Sequence, residues 1–353
     1  MINKNGNNVP YLDGWRGLAI IFVLIGHFGP VQLFGCGAQG VLLFFVLSGF
    51  FMSKLLFINK VSLSYFFVRR FSRVIPTLWL YILMMAAYSY YFQYSQYRVS
   101  FEELLATLTF IRTYYPNANS IVANFWPIGH LWSLNVEEHC YLYLAAGMIL
   151  VAKSKGKISA RAFLISSVCV ILFIRMFYTV GYAPNGASPW ILHTEYAALG
   201  LIASATYHVI LAGRTSILAR KDIIILFFFF ILIYITSQFN LLGAASPVVR
   251  SIVIPLFAAF TVNHANDFPP LLKKFLSLRI IRWFGICSYS IYLWQQPLYM
   301  LVIFHRIHSF LALPIALGLG AGSFYLFENP IRLYLNKRWS QYQKNHSILY
   351  IVR

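Results

Sequence analysis

The sequence predicts an all-α integral membrane protein of about ten transmembrane helices with both termini on the cytoplasmic side. Composition is the first observation. Hydrophobic residues make up 59% of the 353 positions and charged ones only 10%, against about 25% charged residues in a soluble domain. Such a chain cannot cover itself with a polar surface. The second observation is a series of apolar runs, each about 20 residues and so long enough to cross a bilayer. They fall near 17–34, 39–58, 74–94, 132–152, 162–181, 190–211, 222–239, 248–264, 283–304 and 310–328. The third is the placement of basic residues, which are retained on the cytoplasmic side of membrane proteins. With the N-terminus inside, 23 of the 28 lysines and arginines fall on the inner side and four outside, with Arg175 within a span. A wrong helix count would smear that alternation.

Between the spans the sequence is economical. The stretch 101–115, FEELLATLTFIRTYY, is too short and too charged to cross, and reads as an amphipathic segment at one membrane face. The polar start MINKNGNNVP lacks a basic n-region and a small-residue cleavage site, so no cleavable leader is expected. The whole chain, 1–353, reads as one membrane domain with its core at about 11–332 and a short basic cytoplasmic tail at 333–353. No appended soluble domain is expected. The net charge of +19 would suggest nucleic acid in a soluble protein. Here it records topology, and no nucleic-acid partner is expected. Cys36, Cys140, Cys169 and Cys287 are scattered within or beside apolar runs and read as small packing residues.

Ionisable residues inside membrane spans are costly and default to functional candidates. In DGWRGLAIIFVLIGHF, Arg16 and His27 are eleven residues apart, which on an α-helix leaves them within about 20° of one face and roughly 16 Å apart. Asp13 lies about 40° off that face. The three form one polar stripe rising towards mid-membrane, and His27 is either a core histidine bonded to a neighbouring helix or a functional base. In FFVRRFSRVIP, Arg70 and Arg73 are neighbours on one helical face, with Arg69 beside them. Topology alone asks for basic residues there; guanidinium forks also suit a phosphate clamp for a nucleotide-bearing donor such as coenzyme A. In FWPIGHLWSLNVEEHCYLY, His130, Glu137, Glu138 and His139 crowd into ten residues, but their spacing matches no zinc pattern and no metal is expected. Glu137 reads instead as an outer-side acid that orients an acceptor or balances a buried cation. On a helix only one of Glu137 and Glu138 can face the interior squarely. Glu195 sits near the outer end of the sixth span, and Glu328, ahead of Pro330, reads as a helix-closing residue.

Together these stretches resemble the acyltransferase-3 family of bacterial membrane O-acyltransferases, from about Tyr11 to Arg332. The likeness rests on LDGWRGLAIIFVLIGHF with its R-x10-H spacing, GVLLFFVLSGFFMS, RRFSRVIP, HLWSLNVEEHCYL, EYAALG, SYSIYLWQQPL and FENPIR, seven motifs in order. The resemblance implies transfer of an acyl group, usually acetyl from acetyl-coenzyme A, to a sugar hydroxyl. Acceptors would be lipopolysaccharide O-antigen, exopolysaccharide, lipid-linked glycan or peptidoglycan, and the location the bacterial cytoplasmic (inner) membrane. It makes Arg16 and His27 the essential pair and Arg70 and Arg73 needed too. Trp132, Ser133 and Glu195, within matched motifs, become acceptor-side candidates. Two departures stand out: Gln295 follows YLW where a histidine is common, and His139–Cys140 follow Glu138 where Gln–Phe is usual.

These readings combine into one expectation. Acyl-coenzyme A enters from the cytoplasm with its phosphates on Arg70, Arg73 and Arg16, and its thioester reaches up the stripe to His27. The acceptor comes from outside past Glu137. His27 acts as base, or as a nucleophile that carries the acyl group across. The rival reading is a transporter or flippase for a glycan or lipid-linked substrate that uses the same buried residues as a relay. No convincing pair of broken helices supports it.

Overall fold

The computed structural model describes residues 10–29, 35–91, 99–115, 127–181, 189–212, 234–235, 238–239 and 241–351, and all statements below concern these. Every regular element among them is helical. Six helical segments are long and apolar enough to cross a membrane: Pro10–Phe28, Cys36–Ile58, Leu63–Tyr91, Ala160–Gly181, Ser246–Asn263 and Ser309–Gln343. Helices Trp132–Lys153 (22 residues) and Arg279–Ile303 (25 residues) are also long enough to span, at about 1.5 Å per residue. Neither holds an 18-residue stretch as apolar as those of the six. The expected span at 222–239 lies almost entirely outside the described residues. The protein is a multi-pass, all-α membrane protein.

The helices that position the site are α1 (Pro10–Phe28), α2 (Cys36–Ser53), α3 (Leu63–Tyr91), α4 (Phe101–Leu108), α5 (Trp132–Lys153), α6 (Ala160–Gly181), α7 (Leu199–Leu211), α8 (Ile254–Asn263), α9 (Pro270–Leu276), α10 (Arg279–Ile303), α11 (Ser309–Ser323) and α12 (Asn329–Ile351). Helix α3 starts eleven residues before the apolar run at 74–94. Arg70 and Arg73 stand on one helical face, as their spacing predicts, with Arg69 in the same helix. A helix whose early turns meet neighbouring protein can carry charge there. Glu328 does not close a helix. It ends a π-helical turn, Phe324–Glu328, and the chain runs on helically through Pro330 as α12. Pro330 thus lies inside a continuous helical run, directly after the π-helical turn, a local adjustment of the kind that lets membrane helices tolerate proline.

Helices pack here largely through small residues, as membrane helices do when no water drives their apolar faces together. The α1–α10 contact is the closest. A Cβ on Gly285 would lie 1.8 Å from the Asp13 carbonyl oxygen, and one on Gly17 would lie 2.0 Å from that of Ile281. The two backbones touch at these glycines, which aligns the polar side chains above and below them. Around this contact Ile20, Val23, Leu24, Cys287, Ile291, Ala312 and Ala316 form one apolar cluster joining α1, α10 and α11. A second joins α2, α5 and α7 through Phe45, Val46, Tyr141, Leu144, Leu199 and Leu201. The outward faces are as apolar as the inward ones: Val170, Phe173 and Phe177 on α6 are more than half exposed, as a lipid-facing surface requires. Outside the spans, α4 begins with a reciprocal cap between Ser100 and Glu103, and Glu103 pairs with Arg112 at 2.6 Å.

Candidate active site

The predicted stripe on α1 exists, and α10 provides its mirror. Arg16 donates through a terminal guanidinium nitrogen to Ser288 Oγ at 3.0 Å. Eleven residues further along α1, His27 Nδ1 meets Gln295 Oε1 at 2.6 Å, and its ring stacks on Tyr299 with centroids 4.0 Å apart and planes within 7°. The partners Ser288, Tyr292, Gln295 and Tyr299 recur at i, i+4, i+7 and i+11, one face of a helix. Two polar faces are thus clamped together by the glycine contact. Gln295 Nε2 points towards the Tyr292 carbonyl (3.3 Å) and Gln296 Oε1 (3.4 Å), so its oxygen faces the imidazole. An amide oxygen only accepts. Nδ1 of His27 therefore carries the proton, and the lone pair sits on Nε2, the nitrogen a general base uses. Gln295, the departure noted in the sequence, is the group that orients His27.

Below this pair lies a cavity of about 270 Å³ between α1, α2, α3, α5 and α10. A single water needs only about 10–15 Å³ in this measure, so the opening is no packing defect. Its polar lining is Arg16, Arg70, Arg73, Ser133, Glu137 and Ser288, with Ser48, Tyr141 and Tyr292; Phe44, Phe45, Phe51, Met52 and Leu55 supply an apolar wall. His27 does not line it. The cavity ends at Tyr292, one helical turn short of Gln295.

The three arginines of α3 have different surroundings. Arg70 donates from Nε to Glu138 Oε1 at 2.9 Å and from a terminal nitrogen to Glu137 Oε2 at 2.7 Å. Its guanidinium also lies over the Tyr141 ring, 4.0 Å from the centroid. Ser48 Oγ donates to the other Glu137 oxygen. Of the two roles expected of Glu137, the geometry matches the balancing of a buried cation, and Glu138 reaches the same guanidinium. The fork geometry of the guanidinium accepts adjacent carboxylates that a single helix face would separate. Arg73 lines the cavity with no carboxylate at ion-pair distance among the described residues, although Asp13 and Glu328 lie within its field. Arg69 turns away, exposed and stacked on Tyr65, so it is not part of the cavity.

The remaining candidates divide. Asp13 is buried at the start of α1, near Arg73 and Arg282, but does not line the cavity. Ser133 does, and it shares a 2.7 Å hydrogen bond with the Tyr292 hydroxyl, which donates to the His130 carbonyl at 2.7 Å. Trp132 packs edge-on against Phe45, away from the cavity lining. Glu195 belongs to a separate cluster: it accepts from the Tyr114 hydroxyl at 2.6 Å and meets His193 Nδ1 at 3.2 Å, while His139 bonds Thr194. Burial, with the Glu195 carboxylate beside it, pushes the Tyr114 phenol up to about 12. Glu328 is buried and accepts from Ser290 Oγ at 2.7 Å. Sequence reasoning missed Ser288, Tyr292 and Tyr299. Their spacing within SYSIYLWQQPLY carries the signal, read at 3.6 residues per turn.

A half-buried imidazole held between Gln295 and Tyr299, beside an arginine-lined cavity among helices long enough to cross a membrane, defines a polytopic membrane protein with a polar site inside its helical bundle. The acyltransferase-3 family of acyltransferase domains matches residues 9–327, and the chain belongs to it. The chain is 25% identical over 335 residues to the peptidoglycan O-acetyltransferase OatA of Listeria monocytogenes serovar 1/2a, covering 82% of this chain and 49% of that protein. It is 26% identical over 311 residues to the O-acetyltransferase OatA of Staphylococcus aureus, covering 83% and 51%. The chain spans about half the length of the curated relatives it matches. No solved structure matches.

Proposed function

We propose that the chain is a membrane O-acyltransferase that moves an acetyl group from acyl-coenzyme A to a sugar hydroxyl of a surface glycan, in a bacterial cytoplasmic membrane, with ten spans and both termini inside. The observation that carries this reading is the 2.6 Å contact of His27 Nδ1 with Gln295 Oε1: a general base needs an oriented imidazole with a free lone pair, and this contact supports that role. Relatives named for peptidoglycan O-acetylation favour a cell-wall glycan over lipopolysaccharide as acceptor.

The donor's phosphates belong at Arg73 and Arg16. Arg70 is already matched by two carboxylates and serves as a fixed wall. The apolar side of the cavity suits the long neutral arm that ends in the thioester, which must pass Tyr292 to approach His27. There the acceptor hydroxyl attacks the thioester carbonyl while His27 Nε2 takes its proton. The carbon–sulfur bond breaks, the imidazolium returns the proton to the departing thiolate, and the products are the ester and free thiol. A base of this kind contributes about 10²–10⁴ in rate. The acyl-imidazole relay uses the same nitrogen and the same atoms. The gap between the cavity and His27 favours neither route.

The test is the O-acetyl content of the host's cell-wall and surface polysaccharides by proton NMR, in strains lacking the gene, expressing it, or expressing His27→Ala at matched membrane levels. Acetyl signal with the native gene alone supports the reading. Equal signal from His27→Ala overturns its chemistry, and no signal from any strain revives the transporter alternative.

A further inference from the structure

His130 is buried, at 8% exposure, and among the described residues neither of its ring nitrogens has a hydrogen-bond partner. A neutral imidazole always presents one N–H and one lone pair, and leaving both buried and unpaired is costly. Whatever satisfies this ring must both donate and accept. The surroundings place it beside the reaction centre. The ring packs against Tyr292 at 5.0 Å and edge-on against Tyr81 at 5.7 Å. Its own carbonyl receives the Tyr292 hydroxyl, and Ser133, three residues on, lines the cavity. Both imidazoles touch the same turn of α10, His130 at Tyr292 and His27 at Gln295.

We propose that His130 is the acceptor-binding residue: its N–H donates to the oxygen of the sugar hydroxyl that His27 deprotonates, and its other nitrogen accepts from a second hydroxyl or a water. The assignment rests on the acyl-transfer reading and deepens it. A hydroxyl has one proton and two lone pairs. With His130 on a lone pair and His27 on the proton, the oxygen is held with its remaining lone pair free to attack. A polyhydroxylated acceptor fits this pair of nitrogens better than an amine, which is charged at neutral pH and has no lone pair to offer the N–H.

The experiment uses the full chain in lipid nanodiscs, with acetyl-coenzyme A as donor and chitopentaose as acceptor, and counts thioester consumption, whether by transfer or by hydrolysis. Coenzyme A affinity is measured separately by calorimetry. Phe replaces the ring without its nitrogens, and Asn keeps one donor and one acceptor. The expected result is a loss of at least tenfold in turnover for His130→Phe, with coenzyme A affinity within threefold of native and partial recovery in His130→Asn. If chitopentaose is a substrate, its KM rises while that of the donor does not. Native turnover in His130→Phe overturns the proposal. So does loss of coenzyme A binding in both variants, which makes the residue structural. Failure of the native chain to consume acetyl-coenzyme A overturns the acyl-transfer reading and this proposal together. A native chain that is active, a silent His27→Ala and a fully active His130→Phe overturn this proposal alone.

Discussion

Replacing Gln295 with methionine tests the orientation of His27 without emptying the site. The two side chains are close in length and volume, so the helix contact survives, but the acceptor for Nδ1–H at 2.6 Å disappears. A buried donor left without its acceptor costs about 1–3 kcal/mol. If the whole cost falls on the transition state, where the ring becomes an imidazolium and needs Nδ1–H held most firmly, turnover drops by about 5- to 160-fold. The donor's KM should not move, because Gln295 lies a turn beyond the cavity. Gln295→Glu restores an acceptor and should recover part of the loss. The assay is thioester consumption at saturating acetyl-coenzyme A, with thermal unfolding run in parallel. Full turnover in Gln295→Met would refute the argument that the amide fixes the reactive tautomer. A raised donor KM with unchanged kcat would instead put Gln295 in the donor site.

Four further outcomes separate the arginines, the helix contact and the Glu195 cluster. Arg70→Ala strands Glu137 and Glu138 as buried carboxylates and should destabilise the protein by about 3–5 kcal/mol, read as a fall in unfolding midpoint and membrane level. Arg73→Ala should leave the midpoint unchanged and raise the KM for acetyl-coenzyme A, because its guanidinium lines the cavity and pairs with no carboxylate among the described residues. Gly285→Val drives a side chain into the Asp13 carbonyl; since backbone cannot yield as a side-chain tip does, the cost should reach or exceed the about 1–3 kcal/mol of ordinary overpacking, with turnover lost as the α1 and α10 faces separate. Glu195→Gln should change turnover by no more than about twofold, because that carboxylate is spent on Tyr114 and His193 rather than at the cavity.

Arg16, His27, Arg70 and Arg73 were legible in the sequence because each is an ionisable residue in or beside an apolar run, and helical arithmetic alone puts them on shared faces. What stayed hidden depends on partners distant in sequence. Glu137 and Glu138 look like rivals for one face until Arg70, 67 and 68 positions away, spans both. Gln295 looked like a missing histidine. Its function appears only when α10 is laid against α1, a contact set by Gly17 and Gly285 rather than by any polar motif. The helix end expected at Glu328 was misjudged. Hydropathy marks where a helix can face lipid, while backbone hydrogen bonding carries it on past Pro330.

The central claim is that His27 performs acyl transfer. Its most direct test is acetyl-coenzyme A consumption by the purified native chain and by His27→Ala, in the same nanodiscs and with coenzyme A affinity shown to be equal. The account predicts turnover by the native protein and a loss of about 10²–10⁴ in the variant. A His27→Ala protein that binds coenzyme A and turns over like the native chain would contradict it.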